Sequence, residues 1–498
     1  MPRAAAFILA AIVVVQAGRF IGSTSATADE GVYLAMAEDT FQNRGDDREY
    51  ARRGTAPLPV VLQYALPASA ATADFAQKIM LARMSAVAFI AVPLILVIYF
   101  WLAGELGAVP AFVAAAIVAL SPNVVANSAV AATDACFVLF ALLLLWALSR
   151  YVERPSWRRL AALVAAGGFA FAAKYTAIAL FGVAAVVLTW RDRPQRPLWI
   201  RAAGAAAVTA AMVAFGVALS WRFHPVEGLL SQISHQRLGH EAFLLGSRST
   251  TGWWYYQPVA LSVKSTYVEL AAFGLAIAAL ATLRREPLTV VRIWLVTAAV
   301  VLAGSMISHV DIGVRYVLLL VPLAVMVATA WVARRSAGRR WVGAAIAVAA
   351  LAVQAAQAIA IAPQYLSYFN GFAGGPMNGY RWLADSNLDW GQDLPAMRRF
   401  LMRVGAREPI VSYFGTAPPS AYGVSGSQWN FAGPDVKART DWIVISATHL
   451  VGLYVPNDMF APFRALKPFA RPTPTLFVFD ASRPEVKAAL AETTARTR

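Results

Sequence analysis

The stretch "ANSAVAATDACFVLFALLLLWALSRYVERPSWRR", residues 126–159, places one carboxylate, Asp134, at the start of an apolar run and four arginines just past its end. The run over 133–149 approaches the roughly 20 residues that an α-helix needs to cross a bilayer. Residues 121–133 before it hold no Lys or Arg, whereas 150–159 after it hold Arg150, Arg154, Arg158 and Arg159. Basic loops stay on the cytoplasmic side. The stretch therefore reads as one membrane span entered from the outer face at Asp134.

Working outward, similar apolar runs lie near 4–22, 79–102, 108–120, 160–173, 175–190, 202–221, 262–282, 293–308, 314–333 and 341–361, which makes eleven spans in all. The loops 191–201, 284–292 and 334–340 are also arginine-rich, while 308–313 has neither Lys nor Arg. With eleven spans the four basic loops fall on one side. The expected topology is N-terminus cytoplasmic and C-terminus outside, in a multi-pass protein of the inner (plasma) membrane.

Composition agrees. Of 498 residues 59% are hydrophobic and 14% charged, against about a quarter charged in an average soluble domain. The net charge of +16 would suggest nucleic acid in a soluble chain. Here the arginines sit in short loops between spans, so no nucleic-acid partner is expected and the lipid bilayer is. A single cysteine, Cys136, excludes an internal disulfide framework.

Two outer loops are long, about 23–78 and 222–261. The first carries "EGVYLAMAEDTFQNRG", whose Tyr33, Leu34, Met36, Ala37 and Phe41 follow helical spacing and suggest an amphipathic helix on the membrane surface. The second carries paired aromatics from Trp253 to Tyr256, suited to an interfacial belt or to sugar stacking. After residue 362 Gly, Pro, Asn and Asp rise. The β-rich runs "EPIVSYFG", "DWIVISA" and "TLFVFD" follow, and "LPAMRRFLMRVG" reads as a helix closed by Gly405. The fold class is thus mainly α and polytopic. Residues 1–362 form the transmembrane domain, and 363–498 form a small C-terminal α/β domain on the outer face.

Four polar features share the outer side: Asp29 and Glu30 past the first span, Asp134, Lys174 in "AAKYT", and His309, Asp311, Arg315 and Tyr316 in "SHVDIGVRY". Each has a plainer explanation. Asp134 could cap its helix, Lys174 and Arg315 could reach lipid phosphates, and Asp311 could pair with Arg315 four residues on. Ionisable groups at membrane helix ends are costly unless paired, and their common side points to a site. Cations there can hold a phosphate leaving group, and a carboxylate can deprotonate an acceptor hydroxyl.

At "ADEGVYLAMA", "TAPLPVVLQYAL", "ANSAVAATDACFVLFALLLLWAL", "GFAFAAKYTAIALF" and "DIGVRYVLLLVPL" the chain resembles the GT-C superfamily of polyprenyl-phosphate-sugar-dependent glycosyltransferases. Within it the likeness is to family 39, related to protein O-mannosyltransferases and the lipid A aminoarabinose transferase, over about the first 330 residues. The resemblance implies an inverting transfer from a polyprenyl-phosphate sugar donor to a glycan, lipid or protein acceptor. It makes Asp29 the general base with Glu30 beside it, puts Lys174 and Arg315 on the donor phosphate, and has Asp134 order the site. His309 and Tyr316 share the Arg315 turn and are candidates for the same ordering role.

The chain departs from the family at "RRGTAPLP", where Thr55 and Ala56 replace the usual charged residue and proline; Arg52 or Arg53 are the candidate substitutes. Residues 1–28 also fit a cleaved signal peptide, but the family retains its first helix. The tail motif "DSNLDWGQDL" (385–394) begins like a calcium loop and then fails that template at Gly391 and Ala396. A turn leading into a helix capped near Asp393 fits better. No cofactor is demanded by these residues, and a divalent metal is left open. The alternative is a transporter or flippase of lipid-linked sugars, which should show repeat symmetry and broken helices at midmembrane.

Overall fold

The computed structural model describes residues 2–42, 47–71, 74–191, 196–282, 289–429 and 441–496. Parts of two predicted basic loops, 191–201 and 284–292, lie outside the described residues. Helices occupy all the predicted apolar runs, but the count of eleven spans does not follow from them alone. Among the described residues six helices are long and apolar enough to cross a membrane, or seven if one bent pair counts as a single span.

The longest continuous helical run, Phe75–Leu106, covers 32 residues, or about 48 Å at the α-helical rise. That exceeds the roughly 30 Å hydrocarbon layer. A π-turn over Val87–Ala91 interrupts it just before Pro93, whose missing N–H would otherwise leave a gap in the hydrogen-bond ladder. The bent pair is Ala108–Ala119 with Pro122–Ala129, turned by 68°. Ser121 caps the second helix by accepting the Val124 N–H, and Pro122 starts it. All eight residues of Pro122–Ala129 are buried. The sequence reads this segment as loop; it is an interior helix that delivers the chain to Asp134. The predicted 262–282 span is likewise split, into Tyr256–Lys264 and Tyr267–Ala281.

Glycine allows a close helix contact. A Cβ on Gly168 of helix Trp157–Ala173 would meet the Phe215 ring and the Gly216 backbone of helix Leu198–Leu219. Small residues permit this approach.

The predicted surface helix forms as Ala28–Phe41. Thr27 and Glu30 make its capping box. Near the C-terminus, strands β3 (Ile410–Ser412), β4 (Ser427–Gln428), β5 (Trp442–Ser446) and β6 (Leu476–Asp480) form a sheet in the order β4-β3-β5-β6. Pairs β3–β4 and β3–β5 are parallel, and β5–β6 is antiparallel. Earlier in the chain β1 (Ala242–Leu244) and β2 (Ser247–Ser249) make a hairpin. Helix Leu394–Arg403 ends before Gly405 at φ 63°, the left-handed position that favours glycine. The core beneath the sheet is shared: Leu244, Tyr256, Ala260 and Val263 pack with Leu388, Ile443, Phe460 and Phe479.

Candidate active site

Four charged side chains of alternating sign form a chain. Asp29 lies in the first turn of helix Ala28–Phe41, Asp134 in the first turn of Thr133–Glu153, Lys174 at the extended joint after Trp157–Ala173, and Arg315 in a 3₁₀ turn, Val314–Val317. Arg315 Nη1 donates to Asp29 Oδ2 at 2.8 Å and lies 3.5 Å from Asp134 Oδ2. Lys174 Nζ pairs with the other oxygen of Asp134. Tyr316 lies under both cations, its ring 4.6 Å from Lys174 Nζ and 5.3 Å from Arg315 Cζ. Arg315 and Asp134 are buried, while the Asp29 carboxylate is 32% exposed. Two cations thus balance two carboxylates, and of those two only Asp29 is open to solvent.

The remaining candidates fall elsewhere. Glu30 has no exposed surface. Its carboxylate accepts from Arg83 Nε at 2.8 Å and Nη2 at 2.7 Å, from the Thr27 N–H at 2.7 Å and from the Ala131 N–H at 3.0 Å. Burial opposes its charge, yet Arg83 and the two amides outweigh burial and hold the carboxyl below its usual range. Glu30, expected to be catalytic beside Asp29, thus has its carboxylate fully engaged by donors of its own protein, the arrangement of an anchoring group. Arg52 and Arg53 are exposed and pair with Glu49 on their own short helix, Arg48–Arg52. The charged residue's place in the family motif is held by Thr55, which is half-buried. His309 is exposed beside Asp311, outside the ion-pair chain. Asp311 does not pair with Arg315 either; its Oδ2 accepts the Trp253 N–H at 2.7 Å.

Three residues that sequence reasoning did not place in the site complete the surroundings. The guanidinium of Arg315 lies 4.1 Å from the Trp390 ring. Buried Lys264 donates to the carbonyls of Leu366 and Asn387 and sits over Phe369. Asp385 accepts from Tyr454, whose hydroxyl also meets His240 at 3.2 Å. Burial raises the carboxyls of Asp385 and Asp389, the latter to about 7. For Lys264 a signal existed, a lysine inside an apolar run. For Trp390 there was no such signal.

No group of three or more His, Cys, Asp or Glu side chains able to hold a metal ion occurs among the described residues. Helix Leu394–Arg403 does start after Asp393, but the Asp393 carboxylate accepts from Thr475 rather than capping it.

Residues 59–221 match the family model described as dolichyl-phosphate-mannose-protein mannosyltransferase. A comparison with functionally curated proteins returns no match. Among solved structures, ArnT from Cupriavidus metallidurans bound to undecaprenyl phosphate is 15% identical with a TM-score of 0.52, over 95% of this chain and 97% of that one. The apo structure of the same ArnT is 16% identical with a TM-score of 0.49, over the same shares. The chain has the fold of ArnT, with at least six helices among the described residues long and apolar enough to cross a membrane.

Proposed function

We propose that this chain is an integral membrane glycosyltransferase that moves a sugar from a polyprenyl-phosphate donor to an acceptor hydroxyl or phosphate, with inversion, at the outer face of the inner membrane. In this reading residues 1–362 are the catalytic domain, and 363–498 stand on the outer side with Asp29. The observation that carries it is the half-open Asp29 carboxylate held at 2.8 Å by Arg315, within a chain that also contains Lys174 and Asp134.

The step follows from that arrangement. An acceptor oxygen attacks the anomeric carbon from the side opposite the phosphate, and its proton passes to Asp29. The bond from the anomeric carbon to the phosphate oxygen breaks, and its electron pair stays on the phosphate, which gains one negative charge. Asp29 loses one negative charge in the same step. Arg315, already beside Asp29, is released from its carboxylate partner as the phosphate charge appears. Lys174, steered by Asp134, supplies the second cation. Charge-assisted contacts of this kind favour the transition state over the ground state. The fold shared with ArnT, solved with undecaprenyl phosphate, supports the donor class.

The test is turnover of an undecaprenyl-phosphate sugar by the purified protein, read as released undecaprenyl phosphate. Asp29→Asn should lower it at least ~10²-fold, the low end for general-base catalysis. Near-normal turnover in a folded Asp29→Asn protein would remove Asp29 from the mechanism.

A further inference from the structure

The segment 385–393 touches Arg315 on one side and the residues just before Asp29 on the other. On the Arg315 side, Asn387 Oδ1 accepts the Val314 N–H at 3.0 Å, and the Ser386 hydroxyl donates to the Ile312 carbonyl at 2.6 Å. These two bonds fix the turn directly before Arg315. On the Asp29 side, the Trp390 carbonyl accepts the Ala28 N–H at 2.9 Å and the Gln392 carbonyl accepts the Ser25 N–H at 2.8 Å. Ser25 adds two more bonds, donating to the Gly391 carbonyl at 2.7 Å and accepting the Leu394 N–H at 3.1 Å. Between the two sides the Trp390 ring covers the guanidinium of Arg315.

The same segment is held from behind. Asp389 accepts the Thr448 N–H at 3.0 Å, and Thr448 donates back to the Asp389 carbonyl at 3.1 Å. Asp393 accepts from Thr475 at 2.7 Å. Thr448 follows β5 and Thr475 precedes β6, so the segment is fastened to one end of the C-terminal sheet.

Arg315 has a specific need for such a cover. Its Nε is buried and makes no hydrogen bond. The guanidinium is planar and stacks on aromatic faces, so a ring can hold the edge that no hydrogen bond holds. A ring face beneath the cation both restricts it and attracts it, and does so most strongly where water is excluded.

We propose that Trp390 is a positioning residue for Arg315, and that the 385–393 segment is the device by which the C-terminal domain sets the geometry of the phosphate-binding cation. This rests on the proposed function, in which Arg315 meets the donor phosphate. Trp390 acts on the ligand only through Arg315.

A double-mutant cycle with undecaprenyl phosphate as the probe tests this, on full-length purified protein with melting temperature followed in parallel. Trp390→Leu keeps the apolar volume and removes the ring face; it should weaken binding about tenfold. Trp390→Phe keeps a face and should recover most of that loss. In an Arg315→Ala background Trp390→Leu should change binding less than about twofold, because coupled residues are not additive. If Trp390→Leu does not fold, Asn387→Ser, which frees the Val314 amide, takes its place in the same cycle. Equal losses in both backgrounds overturn the inference, as does Trp390→Phe binding no better than Trp390→Leu. A wild type that binds no undecaprenyl phosphate overturns the proposed function itself and this inference with it.

Discussion

Glu30 and Arg83 form a two-point ion pair with 0% and 1% side-chain exposure, while Asp29, one residue earlier, presents a 32% exposed carboxylate to Arg315. Neighbouring carboxylates on one helical turn point to different sides, and the two here have opposite environments. One is surrounded by donors that leave it no freedom. The other keeps an open edge.

Their variants should therefore separate stability from turnover. Removing one partner of a buried pair strands the other charge, at about 3–5 kcal/mol. Glu30→Gln should lower the melting temperature and the yield of folded protein, and the folded fraction should keep most of its turnover. Asp29→Asn should leave the melting temperature near wild type while turnover collapses. Equal melting temperatures for the two variants would contradict the anchoring role of Glu30.

The phosphate contacts predict a second separation. Lys174→Ala should weaken undecaprenyl phosphate binding by about 1.5–3 kcal/mol, the value of a hydrogen bond to a charged group. Asp29→Asn should bind it at least as tightly as wild type, because Arg315 no longer has a competing carboxylate. Titration of the purified variants checks both signs, and weaker binding by Asp29→Asn would place the phosphate away from Arg315.

A third prediction concerns helix packing. Gly168→Leu would drive a side chain into Phe215 and into the Gly216 backbone, whose N would lie only 3.0 Å from the new Cβ. Overpacking of a tight contact costs about 1–3 kcal/mol. The melting temperature should fall, whereas Gly182→Leu, at a position with nothing within 4 Å of a Cβ, should leave it unchanged.

Acidity should act on the C-terminal region in two opposed ways. Burial raises Asp389 to about 7 from an ordinary 3.8, so the folded chain holds a proton there that the unfolded chain has lost. That stability is lost as pH rises from about 4 through 7. Burial lowers His449 to about 4 from 6.5, so its contribution is lost as pH falls from 6.5 through 4. Melting temperature measured from pH 5 to 8 should show Asp389→Asn gaining on wild type toward the alkaline end. His449→Gln should gain toward the acid end. Parallel curves for wild type and Asp389→Asn would mean that Asp389 is not held protonated.

Much of this was legible in the sequence. Asp29, Asp134, Lys174, Arg315 and Tyr316 stand out as polar residues at the ends of apolar runs, and the structure gathers those five. The strands near 410, 443 and 477 follow from their short β-rich runs. Glu30 could have been resolved too: Thr27 and Glu30 spell a capping box, and Arg83 sits in an apolar run where a lone charge demands a partner. The bend after Ala119 was hidden because Ser121 and Pro122 look the same in a loop as at a helix start. Trp390 was hidden for a different reason. Its partner, Arg315, is far away along the chain, and the stacking of a ring on a guanidinium leaves no periodic trace.

The core shared between residues 244–263 and the C-terminal sheet has a consequence in time. Tyr256 meets Asn387 across 131 residues, and Asp29 meets Arg315 across 286. At translation rates of about 5–20 residues per second, the first gap alone keeps Tyr256 waiting roughly 7 to 26 s. The hairpin and the helix after it must leave the ribosome long before the sheet that will cover them exists. From its own synthesis until residue 390 is made, Arg315 has no Trp390 ring against it. A nascent chain released early therefore carries the membrane helices without the finished cation, and synthesis of the C-terminal sheet is what closes the centre.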